Sequence, residues 1–424
     1  MEFTFGYFRK NFGKKRIYAD WAATTPLRRE VKKSVENARK IWANPSAIYR
    51  EGAEARKALE KMRAKSACVL GVKPEEVYFT SGGTESNVTI IHGVLCACLE
   101  RSERSGVHVV TTAIEHSSVL ETLKLFENRG VRVTYVLPGP DGVVRADEIL
   151  SAVRPDTVLV TCMYVNNEIG TIQPVSKIGA GVRKIRAEKF GKAQHKNREG
   201  REKDSGKNNM REDDFENNAL FPVFHVDTSQ APLWLSCEME GLRADAMTLD
   251  AHKMRGPKGV GALIARRHVP WKPLMTGGGQ ERGRRPTSES LELVTGFTTA
   301  LELAQRERKQ KSKRAEAVQK YFFSQVGREL PRAVINGSLQ KRLPNNINIS
   351  LPNISDPEMA VLMLDKAGIA CSTKSSCMAG EENSYVVESL GGEKWRARNT
   401  LRFTFSPETT RREINKIITI LKKL

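Results

Sequence analysis

Seven short runs of β-branched and apolar residues recur through the middle of the chain, at 77–80, 107–112, 131–136, 158–164, 223–226, 246–249 and 261–265. Amphipathic stretches lie between several of them, as after Glu85 and after Ser117. Alternation of this kind predicts an α/β domain with a mostly parallel sheet. In such sheets ligands sit beyond the carboxyl ends of the strands. The polar residues of interest cluster at those ends: residues 81–84, Glu115 and His116, Asn166 and Asn167, Asp227, His252 and Lys253.

The C-terminal part has another pattern. Helical periodicity runs over 291–325 and 408–424, with strand-like runs at 347–351 and 401–405 between them. This predicts a second, α+β domain, and 424 residues suffice for two cores of unequal size. The expected division is a large domain over 28–307 and a small one built from 1–27 plus 308–424. Residues 186–218 are rich in Lys, Arg, Glu, Asn and Gly and nearly free of large apolar groups. Such a stretch buries too little surface to offset its ordering entropy, so it reads as a disordered basic loop. A docking arm for an acidic partner or RNA is the functional alternative.

Composition narrows the class. Lys and Arg number 69 against 49 Asp and Glu, a formal charge of +20. That balance favours acidic or nucleic-acid partners, although a basic solvated surface explains it equally well. No stretch interleaves aromatic and basic residues as an RNA-binding motif does. The seven cysteines are scattered, with no CxxC pair and no zinc-type Cys/His spacing. This fits a reducing, cytoplasmic setting in which one cysteine is a reactive thiol. No run approaches the roughly 20 apolar residues of a membrane helix. The basic, aromatic start, MEFTFGYFRKNFGKKR, has no apolar core followed by a cleavage site.

Four motifs carry chemistry. FTSGGTESN (79–87) is a strand end, a pair of glycines and a helix start, and free N–H groups there suit a phosphate. FHVDTSQ (224–230) puts Asp227 after a strand, where a carboxylate can pair with a protonated ring nitrogen and Gln230 can meet a phenolic oxygen. LDAHKMRGPKGVGAL (249–263) sets Lys253 in a turn beside His252, placed to bond an aldehyde. AIEHSSV (113–119) offers His116 for stacking and proton transfer. Each motif alone reads equally as a cap or a strand end. Together they supply what pyridoxal phosphate needs: a lysine, an acid for the pyridine nitrogen and a phosphate cradle.

In this order the motifs resemble the cysteine desulfurase family of fold-type I pyridoxal-phosphate enzymes. The likeness runs from IYADWAATTP (17–26) through NPSAIY (44–49), VNNEIGTIQP (165–174), GGGQERGRR (277–285) and PNNINIS (344–350) to LRFTFS (401–406). The resemblance implies a mostly parallel seven-stranded sheet in the large domain and a homodimer. It implies Lys253 as the lysine that carries the cofactor, Asp227 as the pyridinium partner, and Gln230 and Asn167 at the phenolic oxygen. Gly83, Thr84 and His252 are implied as phosphate ligands, His116 as the residue stacked on the ring, and Arg402 as the substrate-carboxylate anchor. In GIACSTKSSCMAG (368–380) it places the nucleophile at Cys377 and makes Cys371 a buried small hydrophobe. The implied reaction takes sulfur from L-cysteine, leaves L-alanine and a Cys377 persulfide, and passes the sulfur to an iron–sulfur scaffold or a tRNA-thiolation protein. The Ser-rich loop resembles the longer-loop class of the family.

The chain departs from the family's pattern in places. Asp250 stands where a serine is common, which implies weaker cofactor retention. Ser288, after Arg285-Pro286-Thr287, takes the place of a phosphate-binding threonine expected from the partner subunit. Lys374 replaces a usual glycine in the cysteine loop, and Val88 a frequent asparagine. Other readings on the same fold are a selenocysteine lyase, another pyridoxal-phosphate lyase, and a non-catalytic assembly or RNA-binding relative.

Overall fold

The computed structural model describes residues 16–100, 106–203, 221–354, 356–374 and 382–424. Its strands in chain order are β1 (Ile17–Tyr18), β2 (Val77–Thr80), β3 (His108–Thr112), β4 (Arg132–Val136), β5 (Thr157–Met163) and β6 (Val223–Asp227). They continue with β7 (Ala246–Asp250), β8 (Gly261–Ala265), β9 (Val334–Ile335), β10 (Asn346–Ser350), β11 (Ile369–Ala370) and β12 (Thr400–Thr404). All seven runs expected in the middle of the chain are strands, each end within one residue of the expected bound.

Seven strands form one sheet in the order β2-β8-β7-β6-β5-β3-β4, with β8 alone antiparallel to its neighbours. Both faces are covered, and the alternation of side chains shows it. Val110, Val160 and Ile264 face a core shared with the helices Arg29–Ala38, Arg50–Leu70 and Leu291–Glu329. Their neighbours Val109, Leu159 and Leu263 face a core shared with the helices Gly83–Leu99 and Ser117–Glu127.

A smaller core lies elsewhere. It gathers Ile17 and Ala19 with Phe322, Ile347, Leu401 and Ile414, so the start of the described chain packs on its end. Here β12, β10 and β9 form an antiparallel sheet, and β1 pairs in parallel with β11. The helix Leu291–Glu329 serves both cores: Ala315 packs in the larger and Phe322 in the smaller. The expected division at 307 and 308 falls inside this helix.

One expectation is corrected. Part of the stretch expected to be a loop, 186–218, belongs to the helix Val175–Lys203; residues 204–218 lie outside the described residues. Lys, Arg, Glu, Gln and Ala are strong helix formers even without apolar partners. Ion pairs from Arg183 to Glu240 and from Arg186 to Asp245 fasten the helix as it leaves the sheet. Among the described residues no helix is long and apolar enough to cross a membrane.

Candidate active site

Parallel strands end side by side, and their last residues face one cavity. Met163 closes β5, Asp227 closes β6 and Asp250 closes β7. A cavity of about 130 Å³ lies beyond these ends. Of the residues expected from the sequence, Gly83, Thr84, His116, Asn167 and Asp227 line it, as do Gln230, His252, Lys253 and Arg402. Ser288 is exposed and does not line the cavity of its own chain. Cys377 lies outside the described residues.

One end of the cavity is organised around Asp227. Its Oδ1 accepts from Ser229 N at 2.9 Å and Ser229 Oγ at 2.6 Å, and its Oδ2 accepts from Asn87 Nδ2 at 2.8 Å. Asn87 lies one turn after Gly83, on the same face of the helix. The same amide donates to Ser118 Oγ at 2.9 Å, and Ser118 Oγ lies 2.9 Å from His116 Nδ1. Ser118 N also donates to Nδ1, at 3.2 Å. A ring whose Nδ1 accepts keeps its proton on Nε2. Burial lowers the His116 pKa, and the charge of Lys253 lowers it further. The imidazole is therefore held neutral.

The other end is the N-terminus of the helix Gly83–Leu99. A Cβ on Gly83 would stand 2.9 Å from Ser229 Oγ and 3.2 Å from Asp250 Oδ2, so only glycine leaves the backbone accessible. Gly261 is needed for a related reason, because its Cβ would meet Gly82 Cα at 2.7 Å. Asp250 occupies this end. Its Oδ2 accepts from Gly83 N at 3.0 Å and lies 3.2 Å from His252 Nε2, and its Oδ1 accepts from His252 N at 3.3 Å. His252 Nδ1 meets Thr24 Oγ1 at 3.1 Å. Burial works to raise the Asp250 carboxyl. The hydrogen bond and charge of His252, the charge of Lys253 and the Gly83 N–H outweigh burial and hold it below the usual carboxylate range.

Lys253 ends the short turn Ala251–Lys253 that Asp250 caps. Arg402 reaches the cavity from the smaller core. Its guanidinium is almost fully buried, donating to Asp20 Oδ1 at 2.9 Å and to Asn167 O at 3.0 Å, while Nε has no partner. The segment that precedes Cys377 in sequence is tied to the same residue. Ser372 N donates to Arg402 O at 3.1 Å, and Arg402 N donates to Ser372 O at 2.6 Å. Beyond it, Ser372 Oγ donates to the Lys374 carbonyl at 2.7 Å. Cys371 packs in the smaller core, its thiol pushed up to about 12 by burial and then by Asp20.

Three contributors escaped the sequence reading. Asn87 and Ser229 hold Asp227, and Asp20 pairs with Arg402. Asn87 had a signal: an amide on the buried side of a helix that is otherwise apolar there. Asp20 had none, because its partner lies 382 residues away.

The sequence matches the family described as Aminotransferase class-V over residues 17–188 and 217–417. The chain belongs to that family. The break in the match, 189–216, falls on the charged insertion. Among curated relatives of this class-V protein, the cysteine desulfurase IscS of Dictyoglomus turgidum is 34% identical over 413 residues, covering 97% of this chain and 95% of that one. The cysteine desulfurase IscS of Stutzerimonas stutzeri is 34% identical over 406 residues, covering 94% and 90%. Among solved structures, a NifS-like protein superposes with a TM-score of 0.80 at 31% identity, covering 96% of this chain and 99% of its own. SspA in complex with cysteine superposes with a TM-score of 0.71 at 28% identity, covering 93% and 100%.

The residues fit pyridoxal phosphate, the cofactor of these relatives. Asp227 is supported to face a ring nitrogen. Asn167 Oδ1 is buried without a partner beside the cavity, and Gly83 leaves a helix terminus bare of side chain. The carboxylate of Asp250 at that terminus is the one discordant group.

Proposed function

We propose that this class-V protein is a pyridoxal-phosphate-dependent cysteine desulfurase that takes sulfur from L-cysteine and holds it as a persulfide on Cys377. The observation that carries this is the convergence of Lys253, Asp227, His116 and Arg402 on one cavity, with Ser372, close before Cys377 in sequence, hydrogen-bonded to Arg402. Lys253, Asp227, His116, Gln230 and Asn167 hold the cofactor ring, and Gly83, Thr84 and His252 hold its phosphate. When bound, the cofactor supplies an electron-withdrawing ring that accepts the electron pair left by the departing α-proton.

The protein groups divide the remaining work. Arg402, which lines the cavity, binds the substrate carboxylate, and its Asp20 and Asn167 contacts fix the guanidinium plane. Lys253 Nζ removes the α-proton and returns one to carbon. Neutral His116 presents Nε2–H to the cavity and moves protons near the ring. Cys377, as thiolate, attacks the substrate sulfur: an S–S bond forms, the C–S bond breaks, and a proton restores L-alanine. Four residues lie between Ser372 and Cys377, so the two Cα atoms are at most about 18 Å apart. That reach serves both attack at the cavity and delivery of sulfur to an acceptor at the surface.

The acceptor is an iron–sulfur scaffold or tRNA-thiolation protein, and the setting is the cytoplasm. The protein works as a homodimer. Trp42, Ile48 and Tyr49 present exposed apolar surface in one short segment, and Ser288 contributes to the phosphate site across the interface.

The test mixes the purified protein with pyridoxal phosphate and L-cysteine and assays alanine and protein-bound persulfide. Equal amounts of both in a single turnover are expected. Lys253→Ala should lose both products, and Cys377→Ser the persulfide. Full sulfur release by Cys377→Ser would instead identify a lyase that needs no thiol.

A further inference from the structure

Asp250 sits among the donors that a phosphate would use. Its Oδ2 takes the Gly83 N–H at 3.0 Å and lies 3.2 Å from His252 Nε2. A phosphate dianion cannot share those donors with an ionised carboxylate, because the two anions would repel at contact distance with little water between them. The carboxylate cannot simply be ignored, since it stands 3.2 Å from where a Gly83 Cβ would be. A protonated carboxyl at the same place would be an O–H donor, and the conflict would become a hydrogen bond.

Resting on the cofactor reading above, we propose that Asp250 makes phosphate binding proton-coupled. One proton is taken from solvent as the phosphate ester arrives and is held between Asp250 Oδ2 and a phosphate oxygen. The Gly83 N–H passes from the carboxylate to the phosphate in the same event. No covalent bond other than O–H changes. Asp250 thereby selects for the cofactor in a state one negative charge poorer than a hydroxyl side chain would accept.

The other charged groups near Asp250 are few. His252 and Lys253 lie on its own turn, His116 comes from the segment after β3, and Asp227 ends the neighbouring strand. Glu85, in the first turn of the facing helix, is already paired with Arg285 at 2.6 Å. Before phosphate binds, these surroundings keep the Asp250 carboxyl ionised. Among the described residues His252 also lies against Asp250 Oδ2, so the test must separate the two.

The probe is 4′-deoxypyridoxine 5′-phosphate, which lacks the aldehyde, so bonding to Lys253 contributes nothing. It is titrated calorimetrically into the full chain freed of cofactor, at pH 8 in two buffers of different ionisation enthalpy. A phosphate monoester, with its second pKa at about 6, is then a dianion in solution. Wild type should take up about one proton more per ligand than Asp250→Ser or Asp250→Asn. Its affinity should fall about tenfold more per pH unit between pH 7 and 9 than theirs. Protonation of the ring nitrogen beside Asp227 is common to all the proteins and cancels in the difference. His252→Gln should keep the extra proton, and thermal melting of each variant checks its fold. Equal uptake by wild type and both Asp250 variants overturns the proposal alone. So does loss of the extra proton in His252→Gln with retention in Asp250→Asn. Failure of every protein to bind the probe overturns the cofactor reading and takes the proposal with it.

Discussion

Asp227 and Asp250 hold the same position on neighbouring parallel strands, each the last residue of its strand, yet they are partnered in opposite ways. Asp227 is fastened by donors from Asn87 and Ser229, none of which the proposed phosphate contacts include. Asp250 is fastened by the Gly83 N–H and His252, the groups an incoming anion would want. A carboxylate at a strand end can thus be permanent equipment or a placeholder. What decides is whether its donors are its own or are borrowed from a ligand.

The contrast can be broken most sharply by removing each charge in turn. Asp227→Asn should lower cysteine turnover about a thousandfold, within the range for losing a group that sets a proton's position. Asp250→Asn should tighten binding of the phosphate ester. Similar losses from both substitutions would mean that the two acids do one job, and steady-state rates with equilibrium dialysis of the cofactor would reveal it. A smaller effect is expected from Asn87→Ala. It deprives the buried Asp227 carboxylate of one donor and cuts the link through Ser118 to His116. The expected loss is about 2 kcal/mol of stability in urea denaturation of the cofactor-free protein. No change would show that Ser229 alone supports Asp227.

A pH-dependent effect concerns Glu115, buried near Asp227. Burial, reinforced by Asp227, pushes its carboxyl from 4.5 up to about 8. Folding therefore favours the protonated form. That contribution is complete below the unfolded value of 4.5 and is lost as pH rises through 8. Wild type should lose stability from pH 5 to 8 relative to Glu115→Gln, in which Thr112 Oγ1 and Met163 N keep an acceptor. Parallel stability curves for the two proteins would show that Asp227 does not burden its surroundings.

Much of this arrangement is written locally. Strand periodicity located the sheet, and the turns after strands located Gly83, His116, Asp227 and Lys253, because each lies within a few residues of a strand end. What stayed hidden depends on long-range contact. Asp20 acquires meaning only against Arg402, and the placing of Asp250 only against Gly83 on another element. The helix continuing to Lys203 was missed for a different reason. Low apolar content argues against burial but not against helix, and the charged residues there favour helix by propensity alone.

The Ser372–Arg402 backbone pairing has an evolutionary reading. On the proposed function, the grip on the amino acid and the hinge of the sulfur arm share one fixed point. Insertions or deletions beyond Lys374 would lengthen or shorten the arm while leaving the grip untouched. A lineage could therefore change which molecule receives the sulfur without retuning which molecule donates it.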